Sequence, residues 1–174
     1  MNEGGQTVPA LPSAGLGRRL AAMVYEALIV VAVAFLAGLA FILVYAAIAG
    51  DVHVRVEGTA RLMLQLFLLV VVGAYFVWFW RRGHTLPMKT WRLRLVASGG
   101  APVGTRAALL RYACAAIALI PAFVGTLELR QNTHSLFAWL ALAPACVAIA
   151  WCLWDADGQA LYDRLAGTRL VRSG

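Results

Sequence analysis

Four long apolar runs dominate the chain and leave it few ways to fold. They cover residues 20–49, 62–80, 107–127 and 135–154. Each reaches the roughly 20 residues that a helix needs to cross a bilayer core. Lipid cannot satisfy exposed backbone groups, so runs of this length and hydropathy predict transmembrane helices. Strand-turn alternation is missing from them, which excludes a transmembrane barrel. The first run is longer than a bilayer requires, so it tilts or projects from the membrane. Composition agrees: 62% of residues are apolar and 13% charged, against about 45–50% and about 25% in soluble globular chains.

The net charge of +7 does not point to nucleic acid. A soluble nucleic-acid binder spreads basic side chains over a hydrophilic face. Here they gather in the gaps between the runs. Arg18 and Arg19 precede the first. Arg81, Arg82, Lys89, Arg92, Arg94 and Arg106 follow the second, and Arg164, Arg169 and Arg172 follow the fourth. The other two gaps hold only Arg55 and Arg61, and Arg130. The positive-inside rule then places both termini and the middle gap in the cytoplasm, with anionic lipid head groups as the partner of Arg81, Arg82, Lys89, Arg92 and Arg94. Trp78, Trp80, Trp91, Trp151 and Trp154 mark the cytoplasmic interface, and Trp139 the outer one. Tryptophan prefers that boundary because its ring is apolar and its N–H is polar.

Within the runs, Ala34 with Gly38, Ala118 with Ala122, and Ala141 with Ala145 give the four-residue spacing that lets helices approach closely. Pro121 and Pro144 each remove a helix hydrogen bond and predict kinks. Outside the runs, residues 1–17 are rich in Gly, Pro and Ser and read as a disordered tail. The segment 51–58 alternates valine with polar residues and reads as extended, while 127–134 reads as a turn. In the middle gap, 92–96 alternates basic and apolar residues and predicts a short strand. Ser98, Gly99 and Gly100 form a turn, and Thr105 is a candidate N-cap for the third span. In the tail, Asp155, Asp157 and Gly158 form a turn. Residues 159–165 form a short amphipathic helix ended by Gly167, and 168–171 alternate again. The two short strands are expected to pair. The expected architecture is an all-α membrane protein: a four-helix bundle, spanning 18–174, above a small cap built from 81–106 and 155–174.

Few residues carry chemistry. Cys114, Cys146 and Cys152 lie inside apolar runs without a CxxC pair, so they are expected to pack as small hydrophobes. His53, His84 and His134 lie in three different gaps, and no metal site is expected. Asp155 and Asp157 lack the further ligands of a calcium loop. No nucleophile-base set or phosphate loop appears, so neither enzymatic activity nor a cofactor is expected. Glu26 is the exception, a carboxylate seven residues after Arg19 inside the first run. The two share a helix face about 10 Å apart, and both side chains lean toward the N-terminus. Each therefore looks elsewhere for a partner. For Glu26 the candidates are Arg111, Tyr112, Arg81 and Arg82. For Arg19 the candidate is Asp163, which is also within reach of Arg164. Arg111 is expected to snorkel to lipid phosphate.

Three segments together resemble the RDD family of bacterial integral membrane proteins. RRLAAMVYE is similar to its first-span motif, with Glu26 where aspartate is usual. GHTLPMKTWRLRLV is similar to its inter-span segment, with Pro87 where glycine is usual. QALYDRLAGTRLV is similar to its closing motif and supplies Asp163. The likeness covers about 17–171. It implies a bacterial inner-membrane location and ion or solute transport, including cation/proton exchange. The partners expected overall are bilayer lipid, a monovalent cation or proton, and, because one four-helix bundle leaves little room for an aqueous route, a second copy of the chain if a pore lies between subunits. Two readings of Arg19, Glu26, Arg111 and Asp163 stay open: groups along an ion path, or a structural ion-pair network in a non-transporting scaffold.

Overall fold

The structure, a computed structural model, describes residues 16–51, 53–155 and 159–172. The expected N-terminal tail up to residue 15, and Asp157 and Gly158 of the expected turn, lie outside the described residues. The element order is α1 (Leu16–Ala49), α2 (Gly58–Arg81), α3 (Leu86–Thr90), β1 (Leu93–Ala97), α4 (Thr105–Leu129), α5 (Leu136–Trp154), α6 (Leu161–Leu165) and β2 (Thr168–Arg172). Helices α1, α2 and α4 are long and apolar enough to cross a membrane, and α5 carries a shorter apolar stretch over Leu136–Ala148.

The apolar runs understate the helices. α2 begins at Gly58 rather than at residue 62, because its first turn is polar and hydropathy alone does not register it. α1 runs for 34 residues, about 51 Å at 1.5 Å per residue, against a hydrocarbon core of about 30 Å. α4 and α5 continue through Pro121 and Pro144. Among the described residues of 51–57 there is no strand. Instead the Asp51 carboxylate accepts from the His53 N–H at 2.8 Å and its carbonyl from the Val54 N–H at 3.3 Å, a turn.

The principal helix contacts follow the sequence: α1 on α2, α2 on α4, and α4 most extensively on α5. The expected bundle is thus a succession of neighbours. Two of the three small-residue pairs sit in the last contact. Ala118, Ala122, Ala141 and Ala145 are all buried, together with Gly125, Ala138 and Ala148. Gly38 of the third pair faces open space. Between α2 and α4, the Tyr112 ring lies on Gly73, and its hydroxyl donates to the Leu69 carbonyl at 2.7 Å.

Elsewhere the long helices expose large apolar side chains, as lipid-facing helices do. The core lies where α1 and α4 begin and α2 and α5 end. There Ala22, Trp80, Met88, Leu93, Leu95, Val103, Ala108 and Leu170 pack together. Trp80, expected at a wet interface, is 5% exposed and belongs to this core. The expected strand pair is present and antiparallel, with Leu93 opposite Arg172 and Ala97 opposite Thr168. β1 starts one residue later than expected. Arg92 takes the left-handed conformation (φ 53), which reverses the chain out of α3 and prevents it from joining a strand. The N-cap of α4 is Gly104, one residue before the expected Thr105.

Candidate functional site

The junction of helices and cap holds the buried charges. Thr85 organises one half of it. The sequence Thr-Leu-Pro places a hydroxyl just before a proline in the first helical turn, a helix-start signature. Accordingly Thr85 is the N-cap of α3 and accepts from the Met88 N–H at 3.4 Å. The same hydroxyl donates to Glu26 Oε2 at 3.1 Å. Thr85 is fully buried, and both capacities of its oxygen are used. The Tyr75 hydroxyl is buried beside the Glu26 carboxylate, near it but short of hydrogen-bond geometry. Glu26 Oε1 is buried with no hydrogen bond among the described residues.

Arg111 organises the other half. It stands two turns into α4 and is 5% exposed. It forms an ion pair with Asp163 of α6, and its Nη1 donates to the Thr168 hydroxyl at 3.0 Å. That hydroxyl donates in turn to the Asp163 carbonyl at 3.4 Å. The guanidinium lies 4.7 Å from the Trp80 ring centre and 5.2 Å from that of Tyr162, within cation–π range of both. Arg19, also buried, donates to the Leu170 carbonyl of β2 at 3.3 Å. Gly167 (φ +62) ends α6 in a conformation that favours glycine and turns the chain into β2, which carries Thr168 and Leu170 into place.

Arg19, Glu26, Arg111 and Asp163 are therefore brought to one end of the helices, two positive and two negative groups. Their pairing differs from expectation. The partner of Asp163 is Arg111, while Arg164 pairs with Asp155 at 2.8 Å. Arg111 does not reach outward to lipid phosphate. A buried carboxylate and two aromatic faces hold it inside, where an unpaired guanidinium would be far more costly. Glu26 meets a neutral hydroxyl from α3 rather than Tyr112, Arg81 or Arg82. Arg111 stays close enough for the two charges to act on one another. The other oxygen of the Asp155 carboxylate accepts from the Gln159 N–H at 2.8 Å. Arg81, Arg82, Lys89, Arg92 and Arg94 are all exposed around the same end.

Thr85, Tyr75, Tyr162 and Thr168 went unread in the sequence as site residues. The Thr-Leu-Pro signature could have revealed Thr85. For the others no local signal exists, because their roles follow from contacts across the fold. Thr85→Val is expected to lower stability by about 1–2 kcal/mol through loss of the cap and of the Glu26 bond. Thr85→Ser should recover most of it in thermal melts of the purified protein.

Among the described residues no group of His, Cys, Asp or Glu is arranged to hold a metal ion. Compared with known families, the chain matches the RDD family model over residues 13–167. Comparison with curated proteins and with solved structures gives no match.

Proposed function

The chain belongs to the RDD family, and from that premise we propose that it is a bacterial inner-membrane protein exchanging a small cation or solute against protons, with Glu26 as the proton-carrying group. In this reading α1, α2, α4 and α5 each span the membrane. Both ends and the cap face the cytoplasm, as the surplus of Lys and Arg around the cap favours. Enzymatic activity forms no part of the reading.

One observation carries it. Of the two acids in the cluster, Asp163 is held by an arginine, whereas the one hydrogen bond of Glu26 among the described residues comes from a neutral hydroxyl. A carboxylate locked to a guanidinium must break an ion pair to take up a proton. One bonded to a hydroxyl can do so by local rearrangement, and a second unbonded oxygen gives the proton a place. An ionisable side chain within a membrane helix is a functional-site hypothesis in its own right. A non-transporting scaffold is the second reading, favoured by the same Arg111–Asp163 pair, which ties spans to cap.

Proton flux driven by Na⁺, K⁺ or Li⁺ gradients in proteoliposomes separates the two. Wild type should show flux with one of these ions, and Glu26→Gln, still folded, should reduce it to the empty-liposome level. Absence of flux in both, with a lower melting temperature for the Gln variant, would sink the exchanger reading and leave the scaffold.

A further inference from the structure

We propose that Arg82, Arg94 and Trp78 form a binding site for the phosphate of an anionic phospholipid whose acyl chain lies along the exposed ridge of α2. The proposal depends on the membrane placement given above and not on transport.

The arrangement begins at the end of α2. Gly83 (φ +85) terminates the helix, its N–H bonding back to the Trp80 carbonyl at 2.9 Å. Its own carbonyl accepts from the Leu95 N–H at 2.7 Å, which fastens β1 against the helix end. The Arg94 side chain lies over Gly83 so closely that a Cβ there would come within 3.3 Å of Nε. The Arg82 guanidinium turns back along α2 and sits 4.3 Å from the Trp78 ring centre. Two exposed arginines therefore belong to this helix end, Arg94 over Gly83 and Arg82 over Trp78.

Among the described residues no acid answers them. Of the carboxylates at this end, Asp163 is paired with Arg111, Asp155 with Arg164, and Glu26 is turned inward to Thr85. Neither Arg82 nor Arg94 has an acidic partner among the described residues. The helix C-terminus offsets only about half a charge. The site therefore carries uncompensated positive charge with fork-like donors, the chemistry that recognises phosphate.

The ridge below it selects the source of that phosphate. Stepping back from Arg82 by four residues gives Trp78, Ala74, Val70, Leu66 and Leu62, all exposed. Residues four apart form a continuous row on a helix surface. From Trp78 to Val70 the row covers about 12 Å, close to one leaflet of a core about 30 Å thick. Ala74 leaves a shallow gap between the larger Trp78 and Val70. A free phosphate would use only the head of this feature, whereas a phospholipid uses its whole length.

The test is native mass spectrometry of the full chain released from micelles holding equal amounts of phosphatidylglycerol and phosphatidylcholine. Wild type should retain phosphatidylglycerol preferentially. Arg82→Gln and Arg94→Gln should each weaken that preference by about five-fold, the size expected of one basic side chain at an anionic surface. Arg106→Gln, which removes an exposed arginine away from the ridge, should leave it intact. Trp78→Ala, at a 57% exposed position, should weaken it without removing charge, so the proposal stays testable if an arginine variant fails to fold. An equal loss in Arg106→Gln would show diffuse attraction and overturn the site. Loss of the preference in Arg82→Gln but not in Trp78→Ala would leave a phosphate site without an acyl ridge and overturn the lipid as its ligand.

Discussion

Arg111→Ala should destabilise the purified protein by about 3–5 kcal/mol, because it leaves Asp163 as a buried charge without its counterion. The loss also removes a donor to Thr168 and the cation facing Trp80 and Tyr162. Arg111→Lys should recover only part of the stability, since a single ammonium cannot reproduce a fork held between two rings. The informative comparison is the double variant Arg111→Met with Asp163→Leu. Replacing both members of a buried pair with apolar residues is often neutral or stabilising. The double variant should therefore melt well above Arg111→Ala, and the cycle should show strong coupling. If Arg111→Ala cost less than about 1 kcal/mol, the ordinary value of an exposed pair, the ion pair would not be holding the cap.

Gly125→Leu is expected to have the next largest effect, by separating α4 from α5. A Cβ at Gly125 would lie 2.7 Å from the Ala138 carbonyl oxygen and 3.0 Å from the Ala141 Cβ. Neither can swing aside, so the helices must move apart and surrender the close packing on which association in lipid depends. Alanine alone should cost about 1–3 kcal/mol, and leucine more. Two other glycines supply the scale. At Gly73 the obstruction at 2.8 Å is the Tyr112 ring, a side chain that can rotate and lose its bond to Leu69. Gly73→Ala should therefore cost less than Gly125→Ala. At Gly38 nothing lies within 4 Å, and Gly38→Ala should be neutral. Melting temperatures in one detergent should rank the three alanine variants in that order.

The features legible in the sequence were those with a local cause. Apolar run length marked the long helices, and alternation in WRLRLVA and TRLVR marked two strands that do pair. Small residues at four-residue spacing marked the α4–α5 contact, although the same spacing at Gly38 left nothing within 4 Å of where a Cβ would stand. In a chain this rich in alanine the pattern recurs without a partner. The charged residues of the site were legible as residues but not as pairs. Arg111 lies 57 residues from Thr168, and nothing near Arg111 in sequence distinguishes a guanidinium bound for lipid from one bound for the interior. Burial decides this, and burial there depends on α6 packing against α4 with Asp163 and on the Thr168 hydroxyl that follows it. Trp80 failed for the same reason. Read one at a time, a tryptophan at the end of a span suggests the interface, but beneath the cap it becomes core.

The Arg19 guanidinium reaches the Leu170 carbonyl across 151 residues of chain. Such a contact fixes an order of events during synthesis. α1 and α4 emerge before α6 and β2, so Arg19 and Arg111 spend the interval without Leu170, Asp163 and Thr168. Until α6 and β2 are made, the nascent chain lacks these partners for the two guanidinium groups at the mouth of its helices. A membrane insertase or a protease meeting the chain at that stage would find it chemically distinct from the finished protein. The closing strand thus doubles as a record that all four long helices have been made.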